Sequence, residues 1–310
     1  MSSVLARSET SLPSDAAVAH PAANPLVDAI YDPVTGSVQY IVTCPTTRAC
    51  AIIDPVLDYD DKSGSTATRN ADALLDHIQK HNLNLVWIFD THPHADHLSA
   101  TAYLRDKTGV PVGIGEGVVK VQEFWKTIYN WPQFAADGSQ WDHLLKDGES
   151  VRIGELEAKI ISSPGHTPAS MTFLIGDAVF VHDTLFMPHS GTARADFPGG
   201  DAAQLWHSIE TLLTLPDETR VFTGHDYPEG REPQWESTIG EQKRHNVHIA
   251  GKSESEFVAL RTKRDSTLPM PRLLLPSLQV NINAGQLPPA EDNHRHYLKI
   301  PVNAFPGANW

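Results

Sequence analysis

Three imidazoles and one carboxylate lie within six consecutive positions of this 310-residue chain: His92, His94, Asp96 and His97. Imidazole nitrogens and carboxylate oxygens are common protein ligands of zinc and iron. A polar loop without chemistry is the simpler alternative, because the chain contains 16 histidines. The close spacing favours a metal-binding loop.

Three further ligand-type residues follow short apolar or β-branched runs elsewhere in the chain. They are His166 in the motif SPGHTP, Asp183 in HDTL and His225 in TGHDY. The first cluster also follows such a run, residues 83–89, and these runs are typical of core strands. Four predicted strand ends therefore carry ligand-type side chains, and loops of this kind commonly form functional sites.

The remaining pattern predicts strands and helices around these loops. Strands are predicted over residues 38–42, 51–54 and 111–114. Helices are predicted over residues 70–81 with Asn70 as the cap, 97–106, 118–130, 202–213, 234–247 and 254–264. From Pro271 onwards the chain is rich in Pro and Asn, which predicts an ordered loop.

Composition predicts a folded enzyme that binds neither nucleic acid nor membranes. Acidic residues number 38 against 24 basic ones, and the net charge of -14 repels both polyanions and anionic membranes. No apolar run is long enough for a transmembrane helix, and no signal-peptide pattern is visible, so we expect a cytoplasmic protein. We expect residues 1–24 to be a flexible tail and residues 25–310 to form a single domain, with a C-terminal extension from about residue 231. A homodimer remains open.

The two cysteines, Cys44 and Cys50, flank a predicted turn between two strands. They could face each other across a hairpin, but a reduced pair is the simpler interpretation in a cytoplasmic enzyme. Neither cysteine lies in a ligand motif, so a thiolate zinc site is not expected.

The order and context of the seven ligand-type residues resemble the metallo-β-lactamase superfamily. The first cluster matches its HxHxDH signature, and the later ligands match His166, Asp183 and His225. The resemblance covers roughly residues 25–230. It implies an α/β fold of the αββα type, with two mixed β-sheets packed face to face, helices outside, and the metal site at one edge.

Five segments are similar to the persulfide dioxygenases of that superfamily, also called sulfur dioxygenases. They read IDPV, DTHPHADH, FVHDTL, GTARADF and GHDY. This resemblance implies one Fe(II) per chain on His92, His166 and Asp183, a triad that leaves coordination positions open. It also implies glutathione persulfide and O2 as substrates and sulfite as a product.

Two interpretations exist for the other four residues, His94, Asp96, His97 and His225. In a dioxygenase they would orient the ligands or exchange protons, and Asp96 and His97 are the catalytic candidates. In a two-metal hydrolase of thioesters, related esters or lactones, such as glyoxalase II, they would help to hold two Zn(II) ions. One ion would then bind His92, His94 and His166, and the other Asp96, His97 and His225, with Asp183 bridging them.

Four residues are predicted to act on the substrate. Tyr227 would direct its hydroxyl at the open face of the metal, unless it is a core phenol. Arg194 would bind a substrate carboxylate, or else pair with Asp196. Lys243 and Arg244 would hold the glutathione end, or else form a solvated helix face.

Overall fold

The computed structural model describes residues 24–305, so the predicted tail lies outside the described residues except for Asn24. The strands are β1 (Leu26–Asp32), β2 (Ser37–Thr43), β3 (Ala49–Ile53), β4 (Val56–Asp60), β5 (Ser65–Ala67), β6 (Asn84–Phe89), β7 (Leu98–Ser99), β8 (Val112–Gly115), β9 (His143–Leu145), β10 (Ser150–Ile153), β11 (Leu156–Ser162), β12 (Met171–Ile175), β13 (Ala178–His182), β14 (Arg220–Thr223) and β15 (Glu236–Thr238). The helices are α1 (Arg69–Lys80), α2 (Thr101–Thr108), α3 (Val118–Ile128), α4 (Ala202–Leu213), α5 (Ile239–His245), α6 (Glu254–Asp265) and α7 (Leu274–Asn281). None of these helices has the length and apolar character needed to cross a membrane.

Two six-stranded sheets form the centre of the fold. The first has the order β1-β2-β3-β6-β8-β9, and its first three strands are antiparallel while the rest are parallel. The second has the order β10-β11-β12-β13-β14-β15 and is antiparallel except where β13 pairs with β14. A small sheet, β5-β4-β7, lies beside them. Both large sheets are mixed, as predicted.

Side chains alternate between two cores along each central strand, because successive residues of a strand point to opposite faces. In β2, Val38 and Tyr40 enter the core between the sheets, whereas Ile41 enters the core that the first sheet shares with α1, α2, α3 and α7. In β13, Phe180 enters the central core, and Val179 packs towards α4, α5 and α6. Helices therefore cover both outer faces, which confirms the predicted αββα sandwich.

Two helix predictions near the first ligand cluster are wrong in their boundaries. The first helix begins at Arg69 after Thr68, so Asn70 is not its cap; the Asn70 side chain instead bonds Asp58. The helix predicted from His97 begins only at Thr101. The residues between pair as β7 with β4, and this pairing keeps the ligand motif out of the helix.

The C-terminal extension also differs from expectation. The helix predicted over residues 234–247 is split, because β15 pairs with β14 before α5 begins after a Thr238–Glu241 capping box. The predicted loop after Pro271 contains α7. Pro276 lies in the first turn of α7, where a missing N–H costs no helical hydrogen bond. The helix predicted over residues 202–213 is confirmed as α4.

Cys44 and Cys50 are both free and buried, as the reduced interpretation predicted. They do not face each other. Cys44 packs in the core between the sheets, whereas Cys50 packs in the core beneath α1, α2, α3 and α7. The two thiols lie on opposite faces of the first sheet.

Candidate metal centre

All seven predicted ligand residues come together at one edge of the sandwich. Three of the compact groups that they form contain all seven, and in each group one ligand atom from each residue lies within 4.8 Å of the others. The groups are His92 with His166 and Asp183, His94 with Asp96 and His97, and Asp183 with His225 and His182. The loops that follow β6, β11, β13 and β14 supply these residues, as the strand-end pattern predicted.

Asp183 lies at the centre of this cluster. Its Oδ2 is 3.9 Å from His92 Nε2 and 3.4 Å from His166 Nε2. Its Oδ1 is 3.3 Å from His225 Nε2, which is itself 3.5 Å from Asp96 Oδ2. The two carboxylate oxygens therefore face different sets of ligands.

Several ligand atoms in the cluster lack hydrogen-bond partners among residues 24–305. They are the Nε2 atoms of His92, His97 and His225, the Nδ1 atom of His94, and the Oδ1 atom of Asp183. An unpaired buried polar atom costs about 1–3 kcal/mol, so this many in one place would be a heavy penalty. Coordination of metal ions removes that penalty, and the donor types suit zinc or iron. The residues present fit a metal centre.

In His97 and His166, a hydrogen bond to the opposite ring nitrogen fixes the imidazole. His97 Nδ1 donates to the Leu98 carbonyl at 3.0 Å, and His166 Nδ1 donates to the Arg194 carbonyl at 2.7 Å. A carbonyl can only accept, so the proton lies on Nδ1 and the Nε2 lone pair remains free. Bonds of this kind orient metal-binding histidines.

Asp54 contacts the ligand loop and His94 through hydrogen bonds, and it was not predicted as a site residue. It directly follows β3, is 1% exposed, and accepts bonds from the Thr91 amide and hydroxyl at 2.6 and 2.9 Å. Its two oxygens also lie 2.9 Å from His94 Nε2 and 3.0 Å from His182 Nε2. Asp54 thus joins the ligand loop to the end of β13.

His182 is a second buried residue that sequence reasoning did not assign. Its φ of 35° lies in the left-handed region, and its Nδ1 is 3.1 Å from Asp183 Oδ1. Gly224 packs against the ring, and a Cβ there would lie 2.4 Å from a ring atom. Glycine is therefore required beside His225 for a steric reason.

Electrostatics favour a neutral His92, a neutral His94 and an ionised Asp183. Burial and neighbouring imidazoles hold the pKa of His92 and of His94 well below the ordinary value. Burial alone would raise the pKa of Asp183, but His225, His182 and His166 hold that pKa well below its usual range. Metal ions bind these deprotonated forms.

Ser37 and Tyr227 flank the cluster where the loop after β14 meets β2. The Ser37 hydroxyl donates to Asp96 Oδ2 at 3.1 Å. The Tyr227 ring is parallel to that of His225, with 5.8 Å between centroids, and it is 63% exposed. Tyr227 is therefore not a core phenol, and its action on the substrate stays a prediction.

The predicted substrate-binding cations are already paired. Arg194 bonds both oxygens of Asp196, at 2.6 and 2.8 Å, and donates its third nitrogen to the Pro269 carbonyl. The alternative for Arg194, an ion pair, is thus the arrangement found, although the side chain does border the cavity beside the ligands. Lys243 and Arg244 pair with Asp217 at the surface and do not line that cavity.

The cavity beside the ligand cluster has a volume of about 850 Å³ and a basic wall. Four arginines line it, namely Arg194, Arg261, Arg264 and Arg272. Three are paired, with Asp196, Asp265 and Asp61 respectively. No carboxylate of residues 24–305 pairs with Arg264. In a chain of net charge -14, Arg264 therefore makes this wall locally positive.

His248, which also lines the cavity, should make stability dependent on pH. Its Nδ1 accepts the Thr192 amide at 2.9 Å, while burial and the cations Arg261, Arg264 and Lys252 lower its pKa to about 4. At pH values between about 6.5, the ordinary pKa of histidine, and about 4, the unfolded chain binds more protons than the folded chain. The free energy of unfolding therefore falls as the pH drops from about 6.5 to about 4.

Urea unfolding at pH 7, 6, 5 and 4 tests this prediction with the His248→Gln variant, whose side chain does not titrate. The variant should lose less stability than the parent protein between pH 6.5 and 4. Parallel curves for the two proteins would contradict the assignment.

Comparison with known proteins agrees with this geometry. Residues 32–225 match the family model of the metallo-beta-lactamase superfamily. The chain is 60% identical over 287 residues to the "Beta-lactamase hydrolase-like protein" of Xylella fastidiosa, covering 92% of this chain and 67% of that protein. It is 28% identical to the human mitochondrial persulfide dioxygenase ETHE1, covering 84% of this chain and 89% of that protein. The solved structure of ETHE1 from Myxococcus xanthus matches with a TM-score of 0.69 and 33% identity, covering 84% of this chain and all of that one. The chain is therefore a metal-dependent enzyme that belongs to the metallo-beta-lactamase superfamily.

Proposed function

We propose that this protein is a two-metal hydrolase of a thioester or a related ester. The observation that carries the proposal is the position of Asp183, whose Oδ2 faces His92 and His166 while its Oδ1 faces His225. A carboxylate between two sets of ligands can serve two ions at once. The 60% identity to a protein named as hydrolase-like supports the same reaction class.

The two ions would be held by two sets of side chains that share Asp183. The first set is His92, His94 and His166, and the second is Asp96, His97 and His225. When bound, such ions lower the pKa of water and polarise a carbonyl group. The chain itself orients the second set, since Ser37 donates to Asp96 and the Leu98 carbonyl fixes the His97 ring.

The cavity wall supports a substrate with an anionic tail. Arg264 has no carboxylate partner among the described residues and borders the same cavity as Asp96 and Asp183. A thioester whose thiol part carries carboxylates, such as a glutathione thioester, would extend from the metals to this guanidinium. His248 is held neutral beside it and adds no further positive charge to the wall.

Metal reconstitution combined with two assays tests the proposal. Metal-free protein loaded with Zn(II) should bind two ions per chain and hydrolyse S-lactoylglutathione. Arg264→Ala should raise KM about fivefold with little change in kcat, because one exposed ion pair contributes up to about 1 kcal/mol. Arg152→Ala is the control, because Arg152 is an exposed arginine on β10, the edge strand of the second sheet, and does not line the cavity. One ion per chain without hydrolysis would overturn the proposal.

A persulfide dioxygenase is the second candidate, favoured by the compact group of His92, His166 and Asp183 and by the 33% identity to a structure titled ETHE1. Fe(II) in such a triad can exchange electrons with O2, which Zn(II) cannot do. The proposed substrates are then glutathione persulfide and O2. Oxygen uptake with sulfite release by the Fe(II)-loaded protein, at one iron per chain, would support this candidate against the hydrolase.

A further inference from the structure

The side chain of Asn281, in the C-terminal helix α7, contacts the loop that carries four of the seven ligand residues. Its Nδ2 donates to the carbonyl of His94 at 2.8 Å and to the carbonyl of His97 at 2.7 Å. Its Oδ1 accepts the amide of Ser99 at 2.8 Å. Asn281 is 2% exposed, so water does not compete for these bonds.

These three bonds replace the regular pairing that the ligand loop lacks. The loop runs from the end of β6 to the start of β7, and His94 and His97 are both buried. Without Asn281 their two carbonyls and the Ser99 amide would lose their partners at a cost of about 1–3 kcal/mol each. One amide side chain offers two donor hydrogens and an acceptor, the combination needed here.

The two ends of the loop are held by a separate network. Asp90 accepts from the hydroxyls of Ser99 and Thr101, at 2.8 and 3.0 Å. Asn281 adds the bonds to the middle of the loop, at the backbone of two ligand residues. Backbone position at His94 and His97 sets where their rings can lie, and a metal site tolerates errors of only about 0.5 Å.

We infer that Asn281 is a positioning residue of the metal centre. It holds the ligand loop in its metal-binding conformation through backbone carbonyls, so α7 is a part of the centre. The inference applies to either proposed reaction, because it concerns the binding of metal and not the step that follows.

Zinc affinity and the visible spectrum of the Co(II)-loaded protein test the inference. Asn281→Asp keeps the size of the side chain, loses both donor hydrogens, and turns a carboxylate towards two carbonyls. We expect its zinc Kd, measured by competition with a chromophoric chelator, to rise about 10–100-fold, the usual effect of removing a group that orients ligands. The Co(II) spectrum should change as well. Asn283→Ala is the matched control, since Asn283 bonds only the nearby Gln286 carbonyl.

A purely structural role would give a different pattern. The metal-free Asn281→Asp protein would then melt at a lower temperature than the parent, while its zinc Kd and Co(II) spectrum at 10 °C matched those of the parent. That result would overturn the inference. Asn281→Ser, which is smaller and retains one hydroxyl donor, provides a second variant in case the aspartate does not fold. The zinc Kd of Asn281→Ser should lie between those of the parent and the aspartate variant. If the aspartate variant cannot be measured, the serine Kd should still exceed the parent value. A serine Kd equal to that of the parent would also overturn the inference.

Discussion

Asp183→Asn should remove both ions of the proposed two-metal centre and lower kcat/KM by about three orders of magnitude, since the Lewis-acid contribution of bound metal amounts to several kcal/mol. Among residues 24–305, Asp183 is the one carboxylate whose oxygens reach both ligand sets, at 3.4 Å from His166 and 3.3 Å from His225. The surrounding imidazoles hold its pKa well below the usual range, so the ionised carboxylate is the form that the site stabilises. An amide has the same size but lacks the charge.

Metal analysis by mass spectrometry and steady-state kinetics on the same preparation check this result. Asp217→Asn is the control, because Asp217 is an exposed carboxylate that pairs with Lys243 and Arg244 away from the cavity. An Asp183→Asn protein that keeps two ions at the parent affinity would show that the carboxylate does not hold them.

Asp54→Ala should lower the free energy of unfolding by about 3–5 kcal/mol, the cost of removing one partner from a buried ion pair, here with His182, whose pKa Asp54 and Asp183 raise to about 9 against the effect of burial. The carboxylate accepts two bonds from Thr91 and lies within 3.0 Å of both His94 and His182. Its loss leaves these groups buried without an acceptor. Urea unfolding of the metal-free protein measures the effect without a contribution from metal binding.

The control for this variant is Asp28→Ala, which breaks another His–Asp pair at 3.2 Å between Asp28 and His77. That pair is partly exposed, so its loss should cost less than about 1 kcal/mol. The comparison separates burial from the chemistry of the pair. A change below 1 kcal/mol in both variants would mean that Asp54 is not required for stability.

The residues of the candidate metal centre could be predicted because they share one sequence pattern. His92, His166, Asp183 and His225 each follow a strand, and chemistry-bearing side chains at strand ends gather at one edge of a sheet. The same rule applies to Asp54, which directly follows β3. An aspartate before proline is also an ordinary turn signal, so this position alone does not mark Asp54 as a site residue.

Other contributors to the centre give no such signal. Ser37 reaches Asp96 across 59 positions of sequence, and nothing local distinguishes it from any serine at a strand start. For Arg194 the sequence allows either binding of a substrate carboxylate or an ion pair with Asp196. In the structure its guanidinium bonds Asp196 and the Pro269 carbonyl. Tertiary contacts decide such cases, and they are not encoded in periodicity.

The C-terminal segment shows how local chemistry can mislead. Proline at position 276 predicts a loop, yet a proline in the first helical turn is tolerated, and the apolar residues around it pack against the first sheet. The helix α7 exists because of that packing. Its most consequential residue, Asn281, would be read from sequence as another polar position in a loop.

The bond between Asn281 and His94 joins residues 187 positions apart. During synthesis at about 5–20 residues per second, the loop with its histidines therefore leaves the ribosome about 10–40 s before the asparagine that holds it. For that interval the nascent chain exposes imidazoles and carboxylates without the support of α7. A ligand loop that depends on Asn281 for its conformation can therefore reach its final geometry only after α7 has been synthesised.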